Sequence, residues 1–168
     1  MQPPKGFRDS PYPYHHELEI LIESVSNLGI GIARDKGWVI QIPFVLPGET
    51  IRARIYRNHK NYSDADCLEV LEPSPHRVQP SCDLFGVCGG CQYQAVDYPT
   101  QLSWKQKHVE ETFLRIGGIE TTVNPTMASP KRFAYRSKLT PHYEKTLDTE
   151  NRKIGFLRHG SRRILADV

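Results

Sequence analysis

The stretch Glu17-Leu-Glu-Ile-Leu-Ile-Glu23 is decisive for the fold because its apolar and acidic side chains alternate. Leu18, Ile20 and Ile22 fall on one side of an extended chain, and the three glutamates fall on the other. A period of two residues is typical of a β-strand with one buried face. The stretch Ile51-Arg-Ala-Arg-Ile-Tyr56 repeats the pattern with polar arginines. We therefore predict two half-buried strands.

Further short strand signals, separated by glycine and proline, surround these two stretches. Trp38–Ile42 is an apolar run that follows Asp35-Lys36-Gly37, a sequence typical of a hairpin turn. Gly29 and Gly31 predict a turn after the first strand. Asp66–Leu71 is the last run before two prolines. Five short strands in about 55 residues favour a small OB-like barrel. We predict a mainly β fold, with this barrel at residues 16–75 and a flexible, proline-rich lead-in at residues 1–15.

Beyond the barrel the pattern changes twice. Residues 76–120 hold a loop rich in cysteine and glycine, followed by a helix predicted from Pro99 to Ile116 and ended by two glycines. Residues 121–168 combine aromatic and β-branched residues with turn formers, and they predict β-hairpins of a partial central β domain. The apolar stripe of the helix consists of Leu102, Val109, Phe113 and Ile116.

Charge is unevenly distributed along the 168 residues. The first 130 residues carry 12 basic and 15 acidic side chains, whereas residues 131–163 carry 10 basic and 3 acidic ones. A compact basic segment indicates a polyanionic partner such as RNA, with a surface that serves only solubility as the alternative. No apolar run approaches the ~20 residues of a membrane span, and the first residues lack the apolar stretch of a signal peptide. We expect a cytoplasmic monomer that binds neither membrane nor DNA.

The basic segment suggests where RNA would bind. Between Lys131 and Lys138 cations are interleaved with aromatic rings, which suits phosphate pairing together with base stacking. A second basic cluster lies near residue 160, and cations of the barrel form a weaker third patch. Phe133 and Tyr135 could equally be core residues of a strand. The candidate RNA contacts are Arg132, Phe133, Tyr135, Arg136, Lys138, Arg158, Arg162, Arg163, Arg52, Arg54 and Lys60.

The most specific chemistry lies in the cysteine loop, Cys82-Asp-Leu-Phe-Gly-Val-Cys88-Gly-Gly-Cys91. Two thiolates at C-x-x-C spacing can hold one metal centre, and the third lies six residues earlier. Both tetrahedral zinc and an iron–sulfur cluster usually take four ligands. Cys67 is assigned as a small strand residue rather than a ligand. A zinc site and three unligated thiols remain alternatives to a cluster held by Cys82, Cys88 and Cys91.

Several of these residues together resemble one family. The run Leu46-Pro47-Gly48-Glu49, the Ser74-x-x-Arg77 pair, the cysteine loop and Tyr98-x-x-Gln101-x3-Lys105 are similar to the bacterial SAM-dependent RNA uracil-C5 methyltransferases that act on 23S rRNA or tRNA. Tyr135-Arg136-Ser137-Lys138 is similar to the central β domain of that family. The resemblance implies an N-terminal TRAM barrel that binds RNA, which agrees with the barrel predicted from strand spacing.

The resemblance also implies cofactors and a mechanism. It implies a 4Fe-4S cluster on the three loop cysteines, with a fourth cysteine just after the segment that matches Ile164–Val168. It implies SAM in a Rossmann-like domain, where a cysteine thiolate adds to C6 of a flipped-out uracil before C5 is methylated. Nothing here matches that domain, so we assign no catalytic residue and expect this chain alone to be inactive. A stand-alone TRAM and iron–sulfur (or zinc) RNA-binding protein is the alternative.

Overall fold

The computed structural model describes residues 2–143 and 153–161. The chain is mainly β with one helix in these residues, which confirms the predicted fold class. The elements are β1 Glu17–Leu21, β2 Ser24–Val25, β3 Ile30–Asp35, β4 Trp38–Pro43, β5 Thr50–Asn58, β6 Tyr62–Glu72, α1 Tyr98–Gly117, β7 His142–Tyr143 and β8 Ile154–Gly155.

Strands β1 to β6 form one sheet, in the order β1-β5-β6-β4-β3-β2. Neighbouring strands are antiparallel except for β4 and β6, which are parallel. The two edge strands are consecutive in the chain, and only Ile22 and Glu23 lie between them. The Glu23 amide donates to the Ile32 carbonyl at 2.9 Å. One bent segment therefore forms both edges of the sheet, and the sheet curls into the OB-like shape that the strand spacing predicts.

The sheet has six strands rather than the five predicted. The stretches located in the sequence are β1, β4, β5 and β6, whereas β2 and β3 were not located. Gly31, which the sequence places in a turn, lies inside β3. A Cβ atom at Gly31 would lie 2.3 Å from Cγ2 of Val45 and 3.0 Å from the Ile42 carbonyl oxygen. This glycine therefore serves close packing between strands rather than a turn, and local patterning does not distinguish the two roles.

The core inside the curled sheet is aliphatic. Leu18, Ile20 and Ile22 all pack into it, as their alternation predicts. The second predicted strand contributes Ile51, Ala53 and Ile55 in the same way. The buried core consists of Tyr12, Ile20, Ile22, Ala33, Ile40, Ile42, Val45, Ile51, Ala53, Ile55 and Ala65.

Part of the proline-rich lead-in packs onto the barrel. Tyr12 is only 8% exposed, and its hydroxyl donates to Oδ2 of Asp35 at 2.8 Å. Burial, followed by the carboxylate of Asp35, raises the Tyr12 pKa above its ordinary value. Ile55 exchanges backbone hydrogen bonds with His15 and His16, at 2.9 Å each. The lead-in therefore extends the pairing of β1 with β5 and adds a ring to the core.

Helix α1 agrees with its predicted span to within one residue at each end. The side chain of Asp97 caps it by accepting from the Thr100 amide at 2.8 Å, and Gly118 ends it in a left-handed conformation. None of its residues is buried, and Val109, Phe113 and Ile116 of the predicted stripe are exposed. In the part of the chain that the structure describes, no helix is long and apolar enough to cross a bilayer.

The segment after the helix contains little regular structure in its described residues. Strands β7 and β8 form an antiparallel pair of two residues each. This pair is the part of the predicted hairpins that the described residues contain. Residues 121–141 contain neither helix nor strand. The proposed domain divisions at residues 75 and 120 stay a prediction.

Candidate functional site

The cysteine loop is a series of tight turns. The Cys88 amide donates to the Leu84 carbonyl at 2.8 Å, and the Phe85 amide donates to the Cys82 carbonyl at 3.0 Å. The Gly90 amide points at Sγ of Cys88, at 3.4 Å. Cys82 and Cys88 are half-buried, Cys91 is exposed, and all three are free thiols.

The three loop cysteines do not form a ready-made metal cage. Across residues 2–143 and 153–161, no three Cys, His, Asp or Glu side chains converge on one point that could hold a metal ion. The chemistry of the loop suits a soft metal, since it offers three thiols within ten residues and an amide directed at sulfur. The arrangement of the sulfurs does not suit a metal ion, because the three side chains do not converge. Metal binding by Cys82, Cys88 and Cys91 therefore stays a prediction.

The cysteine loop pairs with the segment around Arg158. The Gly89 amide donates to the Leu157 carbonyl at 2.9 Å, and the His159 amide donates to the Val87 carbonyl at 2.8 Å. A Cβ atom at Gly89 would lie 3.2 Å from that Leu157 oxygen, so the approach favours glycine. An open cavity of about 290 Å³ lies between the two segments. The pairing brings the backbone of Arg158 beside Cys88.

An aromatic cluster joins this pairing to the barrel. The ring of Phe44 lies 5.3 Å from that of Phe85 and 4.7 Å from the His159 ring, both edge-on. Burial lowers the pKa of His159, although the Asp66 carboxylate opposes the shift. Phe44 has a positive φ of 64°. The cluster therefore holds the end of β4 against both the cysteine loop and the basic segment.

A buried ion pair anchors the residues that follow the barrel. Glu49 is fully buried, and its carboxylate accepts from the Leu46 and Ser74 amides at 2.8 and 3.2 Å and from the Arg77 guanidinium at 2.7 Å. Arg77 also donates to the Phe44 carbonyl at 3.1 Å. The hydrogen bond to Glu49 raises the Arg77 pKa. The sequence shows both residues, but only the fold shows that they meet.

Cys67 behaves as a strand residue. It lies on β6 opposite Ala53 and packs against the barrel core. Burial raises the pKa of its thiol, while the Arg77 charge acts in the opposite direction. A neutral, half-buried thiol is a poor nucleophile and a poor metal ligand, which fits the role assigned from the sequence.

The barrel arginines predicted to contact RNA lie within an array of opposite charges. Arg52 lies between Glu19 of β1 and Glu69 of β6, and its Nη2 is 2.8 Å from the Glu69 carboxylate. Arg54 is related in the same way to Glu17 and to Asp66, at 3.0 Å from the latter. This outer face of β1, β5 and β6 therefore carries more acid than base at these positions, which disfavours a polyanion there.

The part of the basic segment from Lys131 to Lys138 is exposed. Phe133 is 58% exposed and Tyr135 69%, so neither ring lies in a core. The guanidinium of Arg132 lies 4.9 Å from the centroid of the Tyr98 ring. Arg136, Lys138 and Arg158 are exposed as well, and Lys60 lies at the turn between β5 and β6. The predicted contacts Arg162 and Arg163 lie outside the described residues.

Two aromatic features of the surface were not predicted from the sequence. Tyr98 lies under Arg132 and its hydroxyl accepts from the Ser129 amide at 2.7 Å, so it belongs to the surface of the basic segment. In the lead-in, the rings of Tyr14 and His15 are stacked, and Phe7 lies edge-on to Tyr14. The signal available for both was an aromatic residue close to a helix start or a strand start.

The sequence matches one domain family directly. The TRAM domain model matches residues 16–68. These residues are β1 to β5 and the first part of β6, and the match therefore coincides with the curled sheet.

The chain is also similar to RNA methyltransferases. It is 37% identical over 132 residues to an uncharacterized RNA methyltransferase of Halalkalibacterium halodurans, covering 78% of this chain and 29% of the relative. It is 33% identical over 165 residues to the tRNA (uracil(54)-C(5))-methyltransferase of Schizosaccharomyces pombe, covering 92% of this chain and 31% of that enzyme. The chain thus spans about a third of the length of the curated relatives it matches.

One solved structure is similar over most of the chain. It is the crystal structure of Pyrococcus abyssi tRNA (uracil-54, C5)-methyltransferase in complex with S-adenosyl-L-homocysteine. The sequences are 28% identical, the TM-score is 0.49, and the match covers 88% of this chain and 31% of the other.

Proposed function

Because residues 16–68 are a TRAM domain and the chain is homologous to the N-terminal part of RNA uracil methyltransferases, we propose that it is the RNA-holding part of a SAM-dependent RNA uracil-C5 methyltransferase. The TRAM match on a folded, curled sheet is the observation that carries this proposal. The enzyme would act on rRNA or tRNA, as a monomer in the cytoplasm. The relative from Schizosaccharomyces pombe favours tRNA as the first substrate to try.

RNA binding draws support from the exposed basic segment. Arg132, Arg136 and Lys138 supply phosphate contacts, and Phe133 and Tyr135 offer exposed rings for unpaired bases. Arg52 and Arg54, by contrast, belong to the outer face of β1, β5 and β6, where carboxylates lie opposite them. Arg52 and Arg54 are therefore weaker candidates than the segment from Lys131 to Lys138.

Methyl transfer would use groups outside these 168 residues. The thiol of Cys67 is packed on the barrel, and the other three cysteines share one loop. The cavity beside the cysteine loop is open to solvent. We propose that the nucleophile, the base and the SAM site belong to the part of the relatives that this chain does not span.

For the cysteine loop we propose a 4Fe-4S cluster on Cys82, Cys88 and Cys91. Three thiols in one loop and an amide directed at Cys88 support it. The same ligands could hold zinc in a binding module without enzymatic activity, which is the second candidate.

Salt-dependent RNA binding tests the main proposal. Fluorescence anisotropy with a labelled tRNA transcript is expected to show affinity that falls steeply between about 50 and 200 mM salt, because phosphate contacts release counterions. The triple variant Arg132→Gln, Arg136→Gln, Lys138→Gln should reduce the slope of log affinity against log salt by about two. A wild-type chain without measurable RNA affinity would contradict the proposal.

Metal analysis separates iron from zinc. Protein purified without oxygen is expected to contain iron and acid-labile sulfide in equal amounts, and the variant Cys88→Ser should lose both. Cys67→Ser is the matched control and should keep them. Stoichiometric zinc without sulfide would favour the binding module, and wild-type protein without any bound metal would refute both.

A further inference from the structure

One end of the barrel is built from three separate segments. The β3–β4 turn, the β5–β6 turn and the lead-in meet there, and we call this the tip end. The Tyr12 hydroxyl ties the lead-in to Asp35 of the first turn. The Trp38 indole donates to Oγ of Ser63 at 2.9 Å, and Ser63 donates to Oδ1 of Asn58 at 2.6 Å. A chain of hydrogen bonds therefore runs across the whole tip end.

The lead-in is fixed in position at the tip end. Nδ2 of the buried Asn58 donates to the carbonyls of Arg8 and Tyr12, at 2.6 Å each. His15 has a positive φ of 63°, a conformation that costs energy for a residue with a side chain. This strain is maintained by the backbone bond from the His15 amide to the Ile55 carbonyl, at 2.9 Å. The segment is therefore held in one defined shape.

That shape stacks rings beside the barrel. The rings of Tyr14 and His15 are stacked at 3.8 Å between centroids, and Phe7 lies edge-on to Tyr14 at 5.1 Å. At the β5–β6 turn, His59 stacks on Tyr62 at 4.3 Å. All five rings are half-buried rather than enclosed, so part of each surface is open to a ligand. Preformed aromatic stacks of this kind receive unpaired bases.

The cations of the tip end differ from those of the outer face. Arg8, Lys36, Arg57 and Lys60 are exposed, and none of them forms an ion pair with any described residue. The acids nearby are already engaged, Asp35 by Tyr12 and Asp64 by His59, while Asp9 is exposed. Available positive charge on the barrel is therefore concentrated at this end.

We propose that the lead-in and the β5–β6 turn form a stacking surface for unpaired RNA bases, with Arg57 and Lys60 contacting the adjoining phosphates. This inference rests on the proposed RNA-binding function and adds a site that lies partly outside residues 16–68. Stacked rings and unpaired cations within one defined surface favour RNA over a protein partner, since the exposed cations match phosphates and the rings match bases.

The test measures binding of the whole chain to a fluorescein-labelled single-stranded RNA of about 12 nucleotides, a length suited to one OB-like domain. Tyr14→Ala should weaken binding at least about fivefold, the loss expected for one stacked base, whereas Tyr14→Phe keeps the ring and should keep the affinity. The double variant Arg57→Gln, Lys60→Gln should reduce the salt slope by about 1.4, at about 0.7 per single-strand phosphate contact.

Controls separate this site from the RNA-binding function itself. Arg115→Gln, in the exposed ion pair with Glu111 of α1, should leave both affinity and salt slope unchanged. Arg57 and Lys60 are exposed, so their replacement tests the site even if Tyr14→Ala unfolds the lead-in. Wild-type binding that survives every tip-end variant would overturn this inference and leave the proposed function standing. A wild-type chain that binds no RNA at all would overturn both.

Discussion

The barrel encloses the aliphatic side chains of its strands, whereas helix α1 buries none of its twenty residues. Several polar contacts attach the helix to the rest of the chain, beside the ring contact between Trp104 and Tyr93. His108 contacts the Val25 carbonyl at 3.1 Å, and the Gln101 amide donates to the carbonyls of Tyr93 and Val96 at 3.2 and 2.9 Å. The two regions thus differ in the kind of interaction that holds them, although they are neighbours in one chain.

The difference indicates which region sets global stability. A buried Ile side chain contributes about 1.5–3 kcal/mol, whereas a typical hydrogen bond contributes about 0.5–1.5 kcal/mol net. The barrel is therefore expected to unfold as one cooperative unit. The helix and the cysteine loop are expected to open locally at lower free energy.

The largest effect is expected at the junction between the two regions. Glu49→Ala leaves the half-buried guanidinium of Arg77 and two amides without their acceptor, so the free energy of unfolding should fall by about 3–5 kcal/mol. Urea denaturation followed by circular dichroism measures it. Arg52→Gln, which breaks an exposed ion pair, is the control and should cost at most about 1 kcal/mol. Equal losses in the two variants would contradict the role given to Glu49.

A smaller effect is expected inside the barrel. Gly31→Ala places a methyl group against Val45 and the Ile42 carbonyl, and overpacking of this kind costs about 1–3 kcal/mol. Thermal unfolding should show a lower melting temperature. Gly117→Ala in the helix meets only Ile119, at 3.5 Å, and should be neutral or stabilising by up to about 1 kcal/mol. The contrast fails if both glycines tolerate alanine equally.

The smallest effect is expected at the helix cap. Asp97→Ala removes the acceptor for the Thr100 amide and should cost about 1 kcal/mol, seen as faster hydrogen exchange in α1 with unchanged exchange in the barrel. Asp97→Asn is the control, because asparagine also caps helices. Faster exchange in the barrel strands of the alanine variant would show that the two regions are not independent.

The cap also predicts a pH dependence. Burial alone would raise the Asp97 pKa, but hydrogen bonds from Thr100 and His76 hold it below its ordinary value of 3.8. A carboxylate with a depressed pKa stabilises the fold above the unfolded value, and this contribution is lost as the pH falls through the folded value. Helix protection should therefore decrease below about pH 4 in the wild type but not in Asp97→Asn.

Local patterns were sufficient for most of the barrel and the helix. Alternation placed Leu18, Ile20 and Ile22 on the core side, and two glycines ended α1 within one residue of the prediction. They were insufficient where a residue's role depends on a distant partner. Gly31 looked like a turn because nothing local reveals Val45, which lies against it across the fold.

The candidate site was predictable only in part for the same reason. Cysteine spacing and clustered cations can be counted in a sequence, so the loop and the segment from Lys131 to Lys138 stood out. Charge compensation cannot be counted, because Arg52 meets Glu69 only after β5 and β6 pair. A basic strand therefore looked like an RNA contact until its acidic neighbours were in place.

The contacts of Tyr12 and Asn58 have a consequence for protein engineering. A TRAM module excised at residue 16 would keep every strand of the sheet, yet it would lose a core ring and expose the amide of a buried asparagine. Such a graft should express poorly and be prone to aggregation. A graft that begins before residue 7 keeps the Tyr12 ring and the carbonyls to which Asn58 donates. The segment that the TRAM domain model recognises is thus shorter than the segment that can be transferred to another protein.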